Sequence, residues 1–278
     1  MIFEKINLEQ NDPNVYLDAY IADEIPDLTR KAILVIPGGA YWDVCAYREG
    51  EPIAMAFLPY GYNAFVLHYS TACCSEKTFP AQLIQASKAM KHIKDHAQEY
   101  HIDADRVFVV GFSAGGHLAG SLGTMWHKKE VYETVDMPYG YNKPAGMMLI
   151  YPVVTGTEDF GHHDSFYNLL GSTEPTQEQL QMCSLEENVD DRTVPAFLVH
   201  TSNDQAVNVQ NSLVLAKAFA QAGLKFEMHI YPDGPHGVAL GNQITRCGVA
   251  KWENASIAKW VENAAIWAEE IQNEMGEI

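Results

Sequence analysis

Glycine, serine and glycine stand at positions 111, 113 and 115, between the apolar run Val107-Phe-Val-Val and a segment of helical character that begins at Ala114. A serine hydroxyl becomes a strong nucleophile only when a base removes its proton. Small flanking residues let a strand turn sharply into a helix with that serine exposed at the bend. The pattern Gly-x-Ser-x-Gly arises by chance in roughly one chain of this length in ten. It therefore gains its weight from partners elsewhere in the chain.

Two partners follow in the order that this kind of site requires. Tyr231-Pro-Asp-Gly-Pro-His236-Gly237 comes after the last strand-like run, where a loop rich in Pro and Gly can present an imidazole. His236 would take the proton from Ser113 and return it to the leaving group. Between the two lies Val199-His-Thr-Ser-Asn-Asp204, a carboxylate just past an apolar run, which would hold the imidazole in one tautomer. Asp190 and Asp191 precede that strand, and Asp233 is only three residues from the histidine, so position favours Asp204. Acyl transfer also needs backbone donors for the oxyanion. The loop Ile36-Pro-Gly38-Gly39-Ala40-Tyr41 and the residue after the serine supply them, which makes Gly39, Ala40 and Ala114 the expected oxyanion hole. Tyr41 and Trp42, beside that loop, are candidates for a platform on which a sugar ring stacks, or for plain apolar wall.

The elements that must position these groups alternate from about residue 30 onward, as in a mostly parallel sheet covered by helices. Strands are expected at 15–21, 32–37, 64–69, 107–111, 147–151, 196–201 and 227–231. Helices are expected at 50–58, 81–100, 114–125, 209–222 and 251–274. Leu83, Ile84, Ala86, Met90 and Ile93 make one apolar stripe in the second helix. Between 153 and 194 the rhythm lapses into a polar stretch, read as a small cap insertion on a single domain spanning 1–278.

Composition narrows the function classes. Eighteen Lys and Arg against 36 Asp and Glu give a net charge of −18, which repels polyanions and argues against nucleic acid as a partner. The charged residues at Glu4 and Lys5 interrupt any secretory signal, and no run approaches the ~18 apolar residues of a membrane span, so a cytoplasmic protein without a membrane partner is expected. The five cysteines are odd in number and scattered, which suits free thiols, with Cys73 and Cys74 expected to be buried. His92 and His96 fall on one helix face without the glutamate of zinc-protease chemistry, and read as a solvated face. The adjacent His162 and His163 lack a third ligand at metal-binding spacing, so no metal is expected. Trp252, Trp260 and Trp267 read as core or interface contacts along the terminal helix.

Taken together, PGGAY at 37–41, REGEPIA at 48–54, GFSAGGHLAG at 111–120, LIYPV at 149–153, NLLG at 168–171, the stretch from Asp204 to Leu213 and HIYPDGPHGVAL at 229–240 resemble the bacterial carbohydrate acetyl esterases, related to acetyl-xylan and feruloyl esterases. The resemblance covers most of the chain. It implies an α/β-hydrolase fold, with helices on both faces of the sheet, and a cofactor-free serine esterase. Ser113, Asp204 and His236 would be its triad, and Gly39, Ala40 and Ala114 its oxyanion hole. It further implies hydrolysis of short-chain esters through an acyl-enzyme, on a small-molecule or oligosaccharide ester such as an O-acetylated sugar. Ala40 stands where a third glycine is usual, which bears on the width of the acyl pocket. A peptidase of the prolyl-oligopeptidase kind shares the same constellation, and a non-catalytic binding protein could use the same scaffold. The residues leave the oligomeric state open, a homo-oligomer included.

Overall fold

The structure is a computed structural model that describes residues 1–276, with side chains described through residue 271. Strands β1 (Ile2–Asn7), β2 (Tyr16–Ile21) and β3 (Arg30–Ile36) lead into two short helices, α1 (Ala46–Glu49) and α2 (Glu51–Phe57). Then come β4 (Tyr62–His68), α3 (Ala81–Asp95), β5 (Ile102–Phe112), α4 (Ala114–Met125), α5 (Lys129–Val135) and β6 (Met147–Ile150). The chain continues through α6 (His163–Leu170), α7 (Gln177–Cys183), β7 (Ala196–Thr201), α8 (Gln210–Ala222), β8 (Phe226–Tyr231) and α9 (Trp260–Gly276).

Among the described residues, eight strands form one sheet in the order β1-β2-β4-β3-β5-β6-β7-β8. Strands β3 to β8 run parallel, while β1 and β2 are antiparallel to their neighbours at one edge. Parallel strands must be joined by crossovers, and the helices of those crossovers cover both faces. On one face Leu83 and Ala86 of α3, Leu118 and Ala119 of α4, and Leu215 and Phe219 of α8 pack against Leu34, Val109 and Leu198. On the other face Ile53 and Phe57 of α2 and Trp260 and Trp267 of α9 pack against Val35, Val110 and Val199. Burial from two sides is why the central strands read as continuous apolar runs.

Helix α4 and strand β7 have the expected bounds, and other elements differ for physical reasons. Strand β1 is largely exposed and paired only along β2, so it carries no burial pattern that the sequence could betray. Strand β5 starts at Ile102, five residues earlier than its apolar run, because Arg30 pairs with Ile102 before a register shift. Helix α3 stops at Asp95, after which Tyr100 N–H donates to His96 O and Ile102 N–H to Ala97 O in a tight turn. The terminal helix begins at Trp260 and not at 251. Trp252 sits before it in a 3₁₀ turn, 4.3 Å from the Arg48 guanidinium, while Trp260 and Trp267 are buried in the core. Cys73 and Cys74 are exposed, contrary to expectation, because they lie in the loop after β4 and outside the sheet. His92 and His96 stack on each other, centroids 4.1 Å apart, half-buried against Tyr100 and not spread on a solvated face. No described helix is long and apolar enough to cross a membrane.

Candidate active site

Ser113 lies at the junction of β5 and α4 with φ 53° and ψ −119°, a backbone conformation that costs about 1–3 kcal/mol for a residue with a side chain. Surrounding bonds hold it there. Its N–H donates to Ile150 O, and its carbonyl accepts from His117 N and Val153 N. The small residues around it serve close approach. A Cβ added at Gly115 would lie 2.2 Å from Ile36 O and 2.3 Å from Pro37 O, so only glycine lets α4 start against the end of β3.

His236, in the loop after β8, places Nε2 2.9 Å from Ser113 Oγ and Nδ1 2.7 Å from Asp204 Oδ2. Asp204, in the loop after β7, is itself anchored, its Oδ1 accepting from Ala206 N at 2.9 Å and Val207 N at 3.0 Å. Burial alone would raise the Asp204 carboxyl pKa. The His200 imidazole 3.5 Å away, the bond and charge of His236, and the Val207 amide outweigh that and hold it below the usual carboxylate range. Asp204 therefore stays ionised, aligned with the imidazole. Of the rival carboxylates, Asp190 pairs with Arg192 and Asp233 accepts from Asn203, and both remain outside this chain of bonds.

The loop at 38–41 comes alongside the serine. The amides of Gly39 and Ala40 donate to no acceptor among the described residues, and Ala114 N–H is one of the first-turn amides that a helix leaves unpaired. Gly38 N–H is committed elsewhere, to Glu49 Oε2 at 2.9 Å. Together Gly39, Ala40, Ser113 and His236 line an open pocket of about 210 Å³ with Cys45, Arg48, Glu49 and His162. The stretch 153–194 reaches it through His162, and Asn168 of α6 donates to Ala40 O at 2.9 Å.

The aromatic pair next to the loop divides. Tyr41 cannot serve as a platform, because it is 1% exposed and its hydroxyl bonds His117 Nδ1 at 2.8 Å beneath the loop. His117 Nε2 in turn bonds Cys183 O at 2.7 Å, and burial pushes the His117 pKa down to about 4, so a neutral imidazole braces Tyr41. Trp42 is 58% exposed and is not part of the pocket wall.

Sequence reasoning passed over Glu49. It is 2% exposed at the end of α1, and its carboxylate accepts from Gly38 N and, through Oε1, from the Tyr151 hydroxyl at 2.9 Å. Tyr151 also accepts from Ala239 N at 3.0 Å, and its ring meets that of His236 edge-on at 4.9 Å. One buried carboxylate thus ties the loop at 38–41 to the loop that carries His236. The signal available was an Arg-Glu pair at 48–49 inside a segment otherwise apolar enough to be core. Replacing Glu49 by Ala strips two buried donors of their acceptor, and the expected cost is about 2–4 kcal/mol in urea unfolding. Glu49→Gln, which keeps an acceptor, is expected to recover more than half of that loss.

A model of the BD-FAE family matches residues 17–219. The chain is 38% identical over 233 residues to endo-1,4-beta-xylanase B of Butyrivibrio fibrisolvens, covering 83% of this chain and 35% of that protein. It is 28% identical over 214 residues to an acetylxylan esterase of Xylanibacter ruminicola, covering 76% of this chain and 42% of that one. It thus spans well under half the length of these curated relatives. Among solved structures, the acetyl ester-xyloside bifunctional hydrolase of Caldicellulosiruptor lactoaceticus superposes with a TM-score of 0.81 at 32% identity, over 97% of this chain and 96% of that one. With the family model matched across most of the sheet and an eight-stranded sheet of this order, the chain belongs to the BD-FAE family and has the α/β-hydrolase fold.

Proposed function

We propose that the protein is a serine hydrolase that cleaves short-chain carboxylic esters through an acyl-enzyme, with O-acetylated sugars or oligosaccharides as its substrates. The observation that carries this reading is the continuous line of bonds from Ser113 Oγ through His236 to Asp204, at 2.9 and 2.7 Å. In the reaction, His236 Nε2 takes the Ser113 proton as Oγ attacks the acyl carbonyl. The resulting oxyanion is stabilised by the amides of Gly39, Ala40 and Ala114. Collapse of that intermediate breaks the ester bond, with His236 returning the proton to the departing alcohol. Water, activated by the same imidazole, then releases the acid and regenerates the serine. Proton transfers close within the triad, so the cycle calls for no cofactor.

The names of the acetylxylan esterase and of the acetyl ester-xyloside hydrolase support an acetylated carbohydrate as the substrate. The methyl group of Ala40 beside the oxyanion loop and a pocket of about 210 Å³ favour a small acyl group. With p-nitrophenyl acetate, butyrate and octanoate offered in parallel, kcat/KM is expected to be highest for acetate and lower by at least about tenfold for octanoate. Octanoate turned over as well as acetate would overturn the short-chain reading. Turnover of the matching anilide faster than the ester would replace the esterase by a peptidase.

A further inference from the structure

Two polar side chains line the pocket of Ser113 and His236 without belonging to the triad, its oxyanion donors or the bonds that brace them: Arg48 and His162. Arg48 is the more unusual. It is 9% exposed, yet none of its five N–H groups makes a hydrogen bond among the described residues, and its Nε is buried with no partner at all. Buried arginines are ordinarily saturated, because each unpaired donor carries a desolvation cost. The nearest carboxylate oxygen, Glu49 Oε1, is 3.6 Å from Nη2 and is already occupied by the Tyr151 hydroxyl. The guanidinium is held in place by packing instead. One face stacks on Trp252 at 4.3 Å, and the Nη groups lie against Gly237, where an added Cβ would come within 2.9 Å of Nη2.

His162 has one ring nitrogen fixed, since Nδ1 bonds Ser165 Oγ at 2.8 Å, and Nε2 is left without a partner among the described residues. Burial and the neighbouring charge of His236 both lower its pKa, so its free nitrogen belongs to a neutral ring.

We propose that Arg48 and His162 form the subsite that recognises the hydroxyl oxygens of a sugar in the alcohol portion of the ester, with Arg48 as the main determinant of specificity. The inference rests on the ester-hydrolase reading above and adds the residues that select its substrate. Neutral oxygens fit better than an anion, because Glu49 already neutralises Arg48 at 3.6 Å and the chain carries a net charge of −18. A guanidinium held rigid with free Nη donors suits adjacent hydroxyls on a ring. Tyr47, 71% exposed, lies outside the pocket wall as Trp42 does, but its ring is 6.0 Å from the Arg48 guanidinium carbon and offers an apolar face beside those donors.

The test compares kcat/KM on an acetylated xylo-oligosaccharide with that on p-nitrophenyl acetate, which has no hydroxyl to read, for wild type, Arg48→Met, Arg48→Lys and His162→Leu. Arg48→Met is expected to lower the sugar-to-aryl ratio by at least about tenfold, mainly through KM, since hydrogen bonds from a charged donor are the stronger kind. Arg48→Lys should recover part of the ratio and His162→Leu should lower it by a smaller factor, which keeps the test informative if one Arg48 variant folds poorly. An equal drop on both substrates for Arg48→Met and His162→Leu would overturn the inference and make these residues structural. Wild-type protein that cleaves the aryl ester but not the acetylated sugar would overturn it too, while leaving the ester-hydrolase reading intact. If neither substrate is cleaved, both fall together.

Discussion

Ser113→Ala is expected to lower kcat on p-nitrophenyl acetate by at least about 10⁴-fold while leaving the thermal unfolding midpoint within a few degrees of wild type. On the proposed mechanism, removing the attacking oxygen leaves only the oxyanion donors and substrate positioning, which in serine hydrolases retain a small fraction of the acceleration. Stability should change little, because the strained backbone at position 113 is held by Ile150 O, His117 N and Val153 N, none of which involves the hydroxyl. Among the described residues, the only side-chain bond lost is the one to His236 Nε2. Stopped assays on matched protein preparations, with circular dichroism melts beside them, check both halves. Residual activity above about a hundredth of wild type would mean that another nucleophile serves this pocket.

Asp204→Asn is expected to lower kcat by roughly 10⁴-fold with a much smaller effect on KM. The asparagine would present an N–H where His236 Nδ1 now finds an acceptor 2.7 Å away, favouring the tautomer that protonates the nitrogen facing Ser113. That nitrogen could then no longer accept the serine proton. The same substitution should alter the pH dependence of stability. The Asp204 pKa is depressed in the folded state by His200, His236 and the Val207 amide acting against burial. Its contribution is therefore fully present above the unfolded carboxylate value of about 4 and fades as pH falls through the lower folded value. In urea unfolding, the wild type should lose this increment on acidification and Asp204→Asn should lack it throughout. A variant with wild-type kcat would remove Asp204 from the mechanism.

The parts of the site that were legible in the sequence are those whose chemistry is local or ordered along the chain. Ser113 announces itself through Gly111 and Gly115, which the structure explains by close approach: a Cβ at Gly111 would strike the first turns of α4, and one at Gly115 the end of β3. Asp204 and His236 could be found because each follows a strand of a parallel sheet, and loops at that sheet edge converge. What the sequence hides is the packing behind them. Glu49 looks like an ordinary helix carboxylate until Gly38 and Tyr151, 11 and 102 residues away, are seen to donate to it. Tyr41 and Trp42 read alike as platform or apolar wall, yet the left-handed turn at Ala40 and Tyr41 directs only the Tyr41 ring inward, to His117. The same limit explains the fold. Buried parallel strands were visible as apolar runs, whereas β1 owes its existence to pairing with β2, and α9 starts later than expected because the residues before Trp260 form two 3₁₀ turns, the first placing Trp252 against Arg48.

Exposed Tyr47 and Trp42 lie on the same stretch as the oxyanion loop, but only Tyr47 neighbours a guanidinium with free donors. If Arg48 selects the alcohol portion and the loop around Ala40 limits the acyl portion, the two halves of an ester are read by two walls built from one segment, residues 38–49. Side-chain changes at Ala40 and Arg48 should then alter substrate range without disturbing the triad.

The most direct test of the central claim is to trap the intermediate. Wild-type protein turning over p-nitrophenyl acetate is quenched in acid within the first turnover, digested, and its peptides are weighed by mass spectrometry. The account predicts a single added acetyl group on the peptide that carries Ser113, absent from Ser113→Ala treated in the same way. An acetyl group on any other residue, or steady turnover by Ser113→Ala with no labelled peptide, would contradict it.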